Sequence, residues 1–126
     1  LAAVKESGLY GYIDTTGKMV IRPRFERAWD FSEGLAVVEM GGLSGFIDKT
    51  GKLVIPPKYT PAMPFSEGLA PARTDSLFGY IDRAGRMVIK PRFTEPKIFR
   101  NGIALVKQAG RWCYIDRKGK ILFQTK

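Results

Sequence analysis

The sequence predicts an all-β fold of tandem 34-residue, three-stranded meander repeats in an open, twisted array, with a small four-bladed propeller-like ring as the alternative arrangement. Three observations predict it. The dipeptide Ile-Asp returns at Ile13-Asp14, Ile47-Asp48, Ile81-Asp82 and Ile115-Asp116, 34 residues apart each time. Every one of these acids opens an Asp-x-x-Gly tetrad, closed by Gly17, Gly51, Gly85 and Gly119. The 14 Gly and 8 Pro, set among β-branched and aromatic residues, argue against the two-helix repeats that share this period.

Further positions keep the same phase: Pro23, Pro57 and Pro91; Phe25, Tyr59 and Phe93; Phe31, Phe65 and Phe99; Ala2, Ala36, Ala70 and Ala104. They divide a single repeat domain, 1–126, into units 1–34, 35–68 and 69–102 and a partial unit 103–126. In the second unit the pattern gives a strand at 35–40, a short glycine turn, a strand at 45–48 and a strand at 52–55. The tetrad between the last two suits a type I turn followed by a left-handed glycine. An Asp carboxylate caps such a turn at its first position, and glycine takes positive φ without a Cβ clash. The following Pro-x-(Phe/Tyr) reads as a loop or an edge, because proline has no N–H to give a central ladder. Its aromatic, with the Phe of the Phe-Ser-Glu-Gly that ends the unit, is expected to plug a core between neighbouring units, since one meander cannot bury both its faces.

The block Gly-x-x-Gly-Tyr-Ile-Asp-x-x-Gly-Lys-x-Val-Ile-x-Pro-x-Phe, with Phe-Ser-Glu-Gly-Leu-Ala behind it, resembles the WG (or KWG) repeat family of bacterial proteins. The matching stretches are Leu9-Tyr10-Gly11-Tyr12-Ile13-Asp14, Leu43-Ser44-Gly45-Phe46-Ile47-Asp48, Leu77-Phe78-Gly79-Tyr80-Ile81-Asp82 and Arg111-Trp112-Cys113-Tyr114-Ile115-Asp116. At the two residues that name the family, Trp112 is the lone tryptophan, and Cys113 stands where the other copies have glycine. The resemblance implies a β-repeat array without catalytic residues, with a role in interaction.

Composition narrows the chemistry. With 0 His the commonest general base and metal ligand is missing, and with 1 Cys no intramolecular disulfide or multi-cysteine metal site can form. The longest apolar runs, such as 35–38, fall far short of the roughly 20 residues of a membrane-spanning helix. A leucine at position 1 in place of methionine reads as a trimmed, mature or partial chain. Neither a cofactor nor an enzymatic activity is expected.

The residues that look chemical have plainer readings. Asp14, Asp48, Asp82 and Asp116 are assigned to turn capping with their glycines, rather than to calcium, which needs several oxygens at one site. Glu33 and Glu67 recur, but Asn101 takes the third copy and cannot serve as the acid of a glycosidase-like pair. Cys113 has no histidine to activate it; Arg111 is the nearest candidate to lower its pKa, and a buried structural thiol is expected at a last unit beyond which nothing packs. The aromatics Tyr10, Tyr12, Phe46, Phe78, Tyr80, Trp112 and Tyr114 flank one strand position in every unit. Residues two apart share a strand face, so they read as core, with an exposed stacking platform as the alternative.

Charge is uneven. Units 1–34 and 35–68 are each neutral, so the whole excess of +9 lies in 69–126. Arg83, Arg86, Lys90, Arg92, Arg117, Lys118 and Lys120 are the candidate anion- or partner-binding residues, although basic residues also protect exposed strand edges from pairing. The expected partner is another protein. An anionic polymer or surface, whether nucleic acid, anionic glycan or lipid headgroups, is the alternative, and a carbohydrate-active enzyme ranks last.

Overall fold

The computed structural model describes residues 1–125, which form strands and turns and contain no helix. They group into two compact parts, Leu1–Thr60 and a second that begins at Pro61. In the first, β1 (Ala2–Glu6), β2 (Leu9–Ile13) and β3 (Met19–Phe25) make an antiparallel meander. Then β4 (Arg27–Ala28), β5 (Ala36–Met40), β6 (Leu43–Ile47) and β7 (Leu53–Tyr59) make a four-stranded sheet in that order. In the second part, β8 (Ala70–Thr74), β9 (Leu77–Ile81) and β10 (Met87–Phe93) form one meander. Another is formed by β11 (Ile103–Gln108), β12 (Arg111–Asp116) and β13 (Ile121–Gln124). The 34-residue sequence period is therefore a structural period: the fold is all-β, a three-stranded meander in tandem, and no sheet closes on itself.

Strands one and two of each repeat meet at a two-residue turn. Gly41 and Gly42 have φ of 60° and 79°, and Ala109 and Gly110 have 51° and 78°, the left-handed pair that matches the twist of a tight hairpin. Because the turn is so short, pairing runs right up to it, from Ala36↔Ile47 to Met40↔Leu43. The second strand thus begins at Leu43, two residues before the start expected from the pattern.

The third strand departs further from expectation. It does not stop at Ile55 but continues through both prolines to Tyr59. Phe46 pairs with Ile55 and Ser44 with Tyr59, so the third strand advances four residues while the second advances two. The excess forms a bulge. Proline is accommodated because this strand is the sheet edge in every repeat that carries it, where the missing N–H breaks no ladder.

The bulge explains the glycine of the second strand. A Cβ on Gly45 would lie 2.7 Å from the Ile55 carbonyl oxygen and 2.8 Å from the Pro57 nitrogen, and Gly11 and Gly79 meet the same backbone atoms of their own repeats. In the last repeat Thr125 stands where proline stood, Cys113 pairs with Gln124, and the Thr125 N–H and hydroxyl both donate to the Trp112 carbonyl at 3.0 Å. Cys113 is buried in the core with Ala104, Val106 and Ile115. The side chain fits here because this repeat lacks the proline, a local cause in place of the open end to which the sequence reading ascribed it.

Alternation along the strands divides each meander into two faces. Tyr12, Ile21 and Phe25 of the first repeat are buried against Ala36, Val38 and Ile47 of the second, with Phe31 and Met40 packed at the margin. In the second part Tyr80, Ile89, Phe93 and Phe99 are buried with Ala104, Val106, Cys113 and Ile115 of the following repeat. Tyr12 meets Phe31 edge-on at 5.0 Å between ring centroids, and Tyr80 meets Phe99 in the same way at 5.0 Å. Each of these two junctions therefore uses the aromatic face of one repeat and the small-residue face of the next. Full burial of one such apolar side chain contributes roughly 1.5–3 kcal/mol, so a junction of this size outweighs any single hydrogen bond around it.

Two polar ties recur, one within a repeat and one across the junction. The hydroxyls of Tyr12 and Tyr80 donate to the carbonyls of Trp29 and Lys97, each at 2.7 Å. Burial raises both phenols above their ordinary pKa, so they remain protonated donors. Arg24 and Arg92 donate to the carbonyls of Gly51 and Gly119, the turn glycines of the next repeat. Those glycines rest on Ile21 and Ile89.

Candidate functional site

The four recurring acids lie at turns. Asp14 Oδ1 accepts from the N–H of Thr16 at 2.9 Å and of Lys18 at 3.0 Å, and from the Thr16 hydroxyl at 2.6 Å. Asp48 repeats the set with Thr50 and Lys52, Asp82 with the N–H of Ala84 and Arg86, and Asp116 with the N–H of Lys118 and Lys120. Gly17, Gly51, Gly85 and Gly119 close these turns with φ between 85° and 90°. The hydrogen bonds hold all four carboxyls below their ordinary pKa: the threonine hydroxyl is the main cause at Asp14 and Asp48, and the N–H of Arg86 and of Lys120 at Asp82 and Asp116. They are capping groups, each occupied within its own turn. Among the described residues no group of three or more acids or thiols converges in metal-binding geometry.

Glu33, Glu67 and Asn101 share a backbone role. Their φ values are 55°, 55° and 54°, each is followed by a glycine near 80°, and Ser32↔Leu35, Ser66↔Leu69 and Arg100↔Ile103 bridge around them. This is again a tight reversal with two left-handed residues, a geometry that favours Asn-Gly. The Asn101-Gly102 dipeptide was the sequence signal for it. Glu67 also accepts the Gly102 N–H at 2.9 Å through Oε1.

Cys113 is buried, and burial pushes its thiol above the ordinary value; the charge that opposes this is Arg92, not Arg111 as the sequence suggested. That environment makes it a poor nucleophile.

The basic candidates fall into two groups. Arg92 is held by the Gly119 carbonyl, by Gln108 Oε1 at 3.2 Å and by the face of Phe93 at 4.9 Å. Arg117 donates to the Glu67 carbonyl at 2.6 Å, and Arg86 pairs with Asp82 at 2.9 Å. Arg83 is exposed beside Arg86 on the same turn. Lys90, Lys118 and Lys120 are exposed, and their ammonium groups make no ion pair among the described residues. Tight turns and repeat junctions thus use three of the seven cations that a composition count assigns to a partner.

A surface lies on the aromatic face of the last repeat, where the sequence reading grouped Tyr114 with aromatics taken as core, with an exposed platform as the alternative. Tyr12, Phe46 and Tyr80 are fully buried, yet Tyr114, at the same repeat position, is 39% exposed. Phe123 is 61% exposed, where Ile21, Ile55 and Ile89 are 3% or less. Beside Tyr114 an apolar cleft of about 600 Å³ is lined by Met63, Pro64, Ile98, Ile103 and Leu105, with Lys97 and Arg100 also on its wall. The signal that finds it is comparative: the same repeat position is core in three copies and open in the fourth.

A family model described as WG containing repeat matches residues 10–43, 45–77 and 78–112. No curated protein matches the chain.

Proposed function

We propose, for a chain that belongs to the WG-containing repeat family, a non-catalytic role: a module that binds another protein through the open apolar face of its last repeat. One observation carries this reading. Tyr114 and Phe123 occupy positions that the other repeats bury, so this face keeps the composition of a core while standing in water. The adjoining cleft offers an apolar floor with a few polar groups at its margin, the usual make-up of a binding pocket. The capped acids, the buried thiol and the absence of histidine support the non-catalytic reading.

A photo-crosslinking side chain at Tyr114, compared with one at Lys90, tests the reading in the native host. A protein adduct from position 114 and none from position 90 is the expected outcome, and no adduct from position 114 would sink it.

A second reading rests on Lys90, Lys118 and Lys120, exposed cations within the part of the chain that carries the whole +9. Binding of a polyanion there would weaken steeply with salt, with a log–log slope close to the number of phosphates contacted. Replacing the three lysines by glutamine would remove most of that slope.

A further inference from the structure

We propose that Asn101-Gly102 is a deamidation site and that the Glu67 carboxylate holds it in check, so that the turn keeps its amide for as long as one hydrogen bond lasts. The inference is independent of the interaction reading and stands or falls without it.

Two tight reversals are tied together here. One carries Glu67-Gly68 and the other Asn101-Gly102, with Ser66↔Leu69 and Arg100↔Ile103 bridging around them. The Ser66 hydroxyl donates to the Phe99 carbonyl at 2.6 Å, and Arg117 donates to the Glu67 carbonyl at 2.6 Å, so the backbone that carries the Glu67 side chain is fixed on both sides. From that position Glu67 Oε1 accepts the Gly102 N–H at 2.9 Å. Of the three equivalent turns two carry a carboxylate, Glu33 and Glu67, and Asn101 supplies an amide.

An asparagine followed by glycine is open to attack by the next backbone nitrogen, because glycine puts no side chain in the way. The Gly102 nitrogen gives up its proton and attacks Cγ of Asn101. The new N–Cγ bond closes a succinimide ring, the Cγ–Nδ2 bond breaks, and the side-chain nitrogen leaves as ammonia, taking up a proton. Water then opens the ring at either carbonyl and leaves aspartate or isoaspartate at position 101. The first step requires the Gly102 N–H to lose its hydrogen, and that is the hydrogen Glu67 holds. A carboxylate acceptor at 2.9 Å favours the N–H over the nitrogen anion, since two negative charges would otherwise face each other. The same bond fixes the peptide plane after Asn101, whose φ is 54°, and so resists the rotation that would bring the nitrogen onto Cγ.

The products undo the tie. Isoaspartate adds a methylene to the main chain inside a two-residue turn, and aspartate adds a second carboxylate beside the N–H that Glu67 accepts.

Mass spectrometry of the folded 126-residue chain held at mildly alkaline pH tests the proposal, with the product located in a proteolytic peptide spanning residues 101 and 102. Glu67→Gln keeps the size and an acceptor but removes the charge, and Glu67→Ala removes both. We expect the folded Glu67→Gln chain to deamidate at Asn101 roughly tenfold faster than the unsubstituted one, and Glu67→Ala faster still. In strong denaturant, where the hydrogen bond is gone, the three rates should coincide. Equal rates in the folded unsubstituted and Glu67→Gln chains overturn the proposal, as does a slower variant, which would mean that the carboxylate acts as a base. Gly45→Ala, whose added Cβ meets backbone at 2.7 Å in the first part of the molecule, destabilises the fold without touching this turn. If it speeds the reaction as much as Glu67→Gln does, overall stability sets the rate and the inference fails.

Discussion

Pro57 lies over Gly45, its nitrogen 2.8 Å from the place a Cβ on that glycine would take, with the Ile55 carbonyl oxygen 2.7 Å away. Backbone cannot retreat the way a side-chain tip can. Gly45→Ala should therefore displace the bulge and cost about 2 kcal/mol or more, read as a lower urea midpoint. Cys113→Ala, at the same repeat position over a strand without proline, should cost only about 1 kcal/mol. Equal losses at the two positions would dismiss the bulge as the reason for the glycine.

Ala109 is held at φ 51° in an exposed two-residue turn, a conformation that a Cβ disfavours. Replacing it by Asn or Gly should stabilise the protein by about 1 kcal/mol and raise the calorimetric midpoint. An unchanged or lower midpoint would mean that the turn relaxes at no cost in the alanine form.

The four capped acids make a pH prediction whose sign is fixed. Their folded pKa values lie below that of an unfolded aspartate, near 3.9, so the unfolded chain binds more protons in acid. Their contribution is complete above the unfolded value and is lost as pH falls through the folded values. Urea midpoints should stay level down to about pH 5 and decline below pH 4, with a shallower decline in Asp48→Asn. Midpoints that rise on acidification would contradict the capping role.

How much of this was legible in the sequence depended on whether a feature was local. The tetrads from Asp to Gly, the glycine hairpins and the 34-residue phase are short-range signals, and the strands follow from them. Pro-x-(Phe/Tyr) read as a loop or an edge, and it is the edge; the choice between the two was not legible, because edge position is a property of the sheet. Glu33 and Glu67 were set aside as acids because Asn101 takes the third copy, but the left-handed turn the three share shows only in the backbone. Arg92 and Arg117 counted as free cations for a similar reason: their carbonyl acceptors, Gly119 and Glu67, lie 27 and 50 residues away along the chain. That Tyr114 differs from Tyr12, Phe46 and Tyr80 was not legible, because its sequence context equals theirs.

Since each described junction marries one repeat's aromatics to the small residues of its successor, a deletion or duplication of one whole period restores a compatible seam wherever it falls. Any other change of length throws the two faces out of step. Growth and loss in such a protein should come in quanta of 34 residues, and the cut point inside the period should matter little.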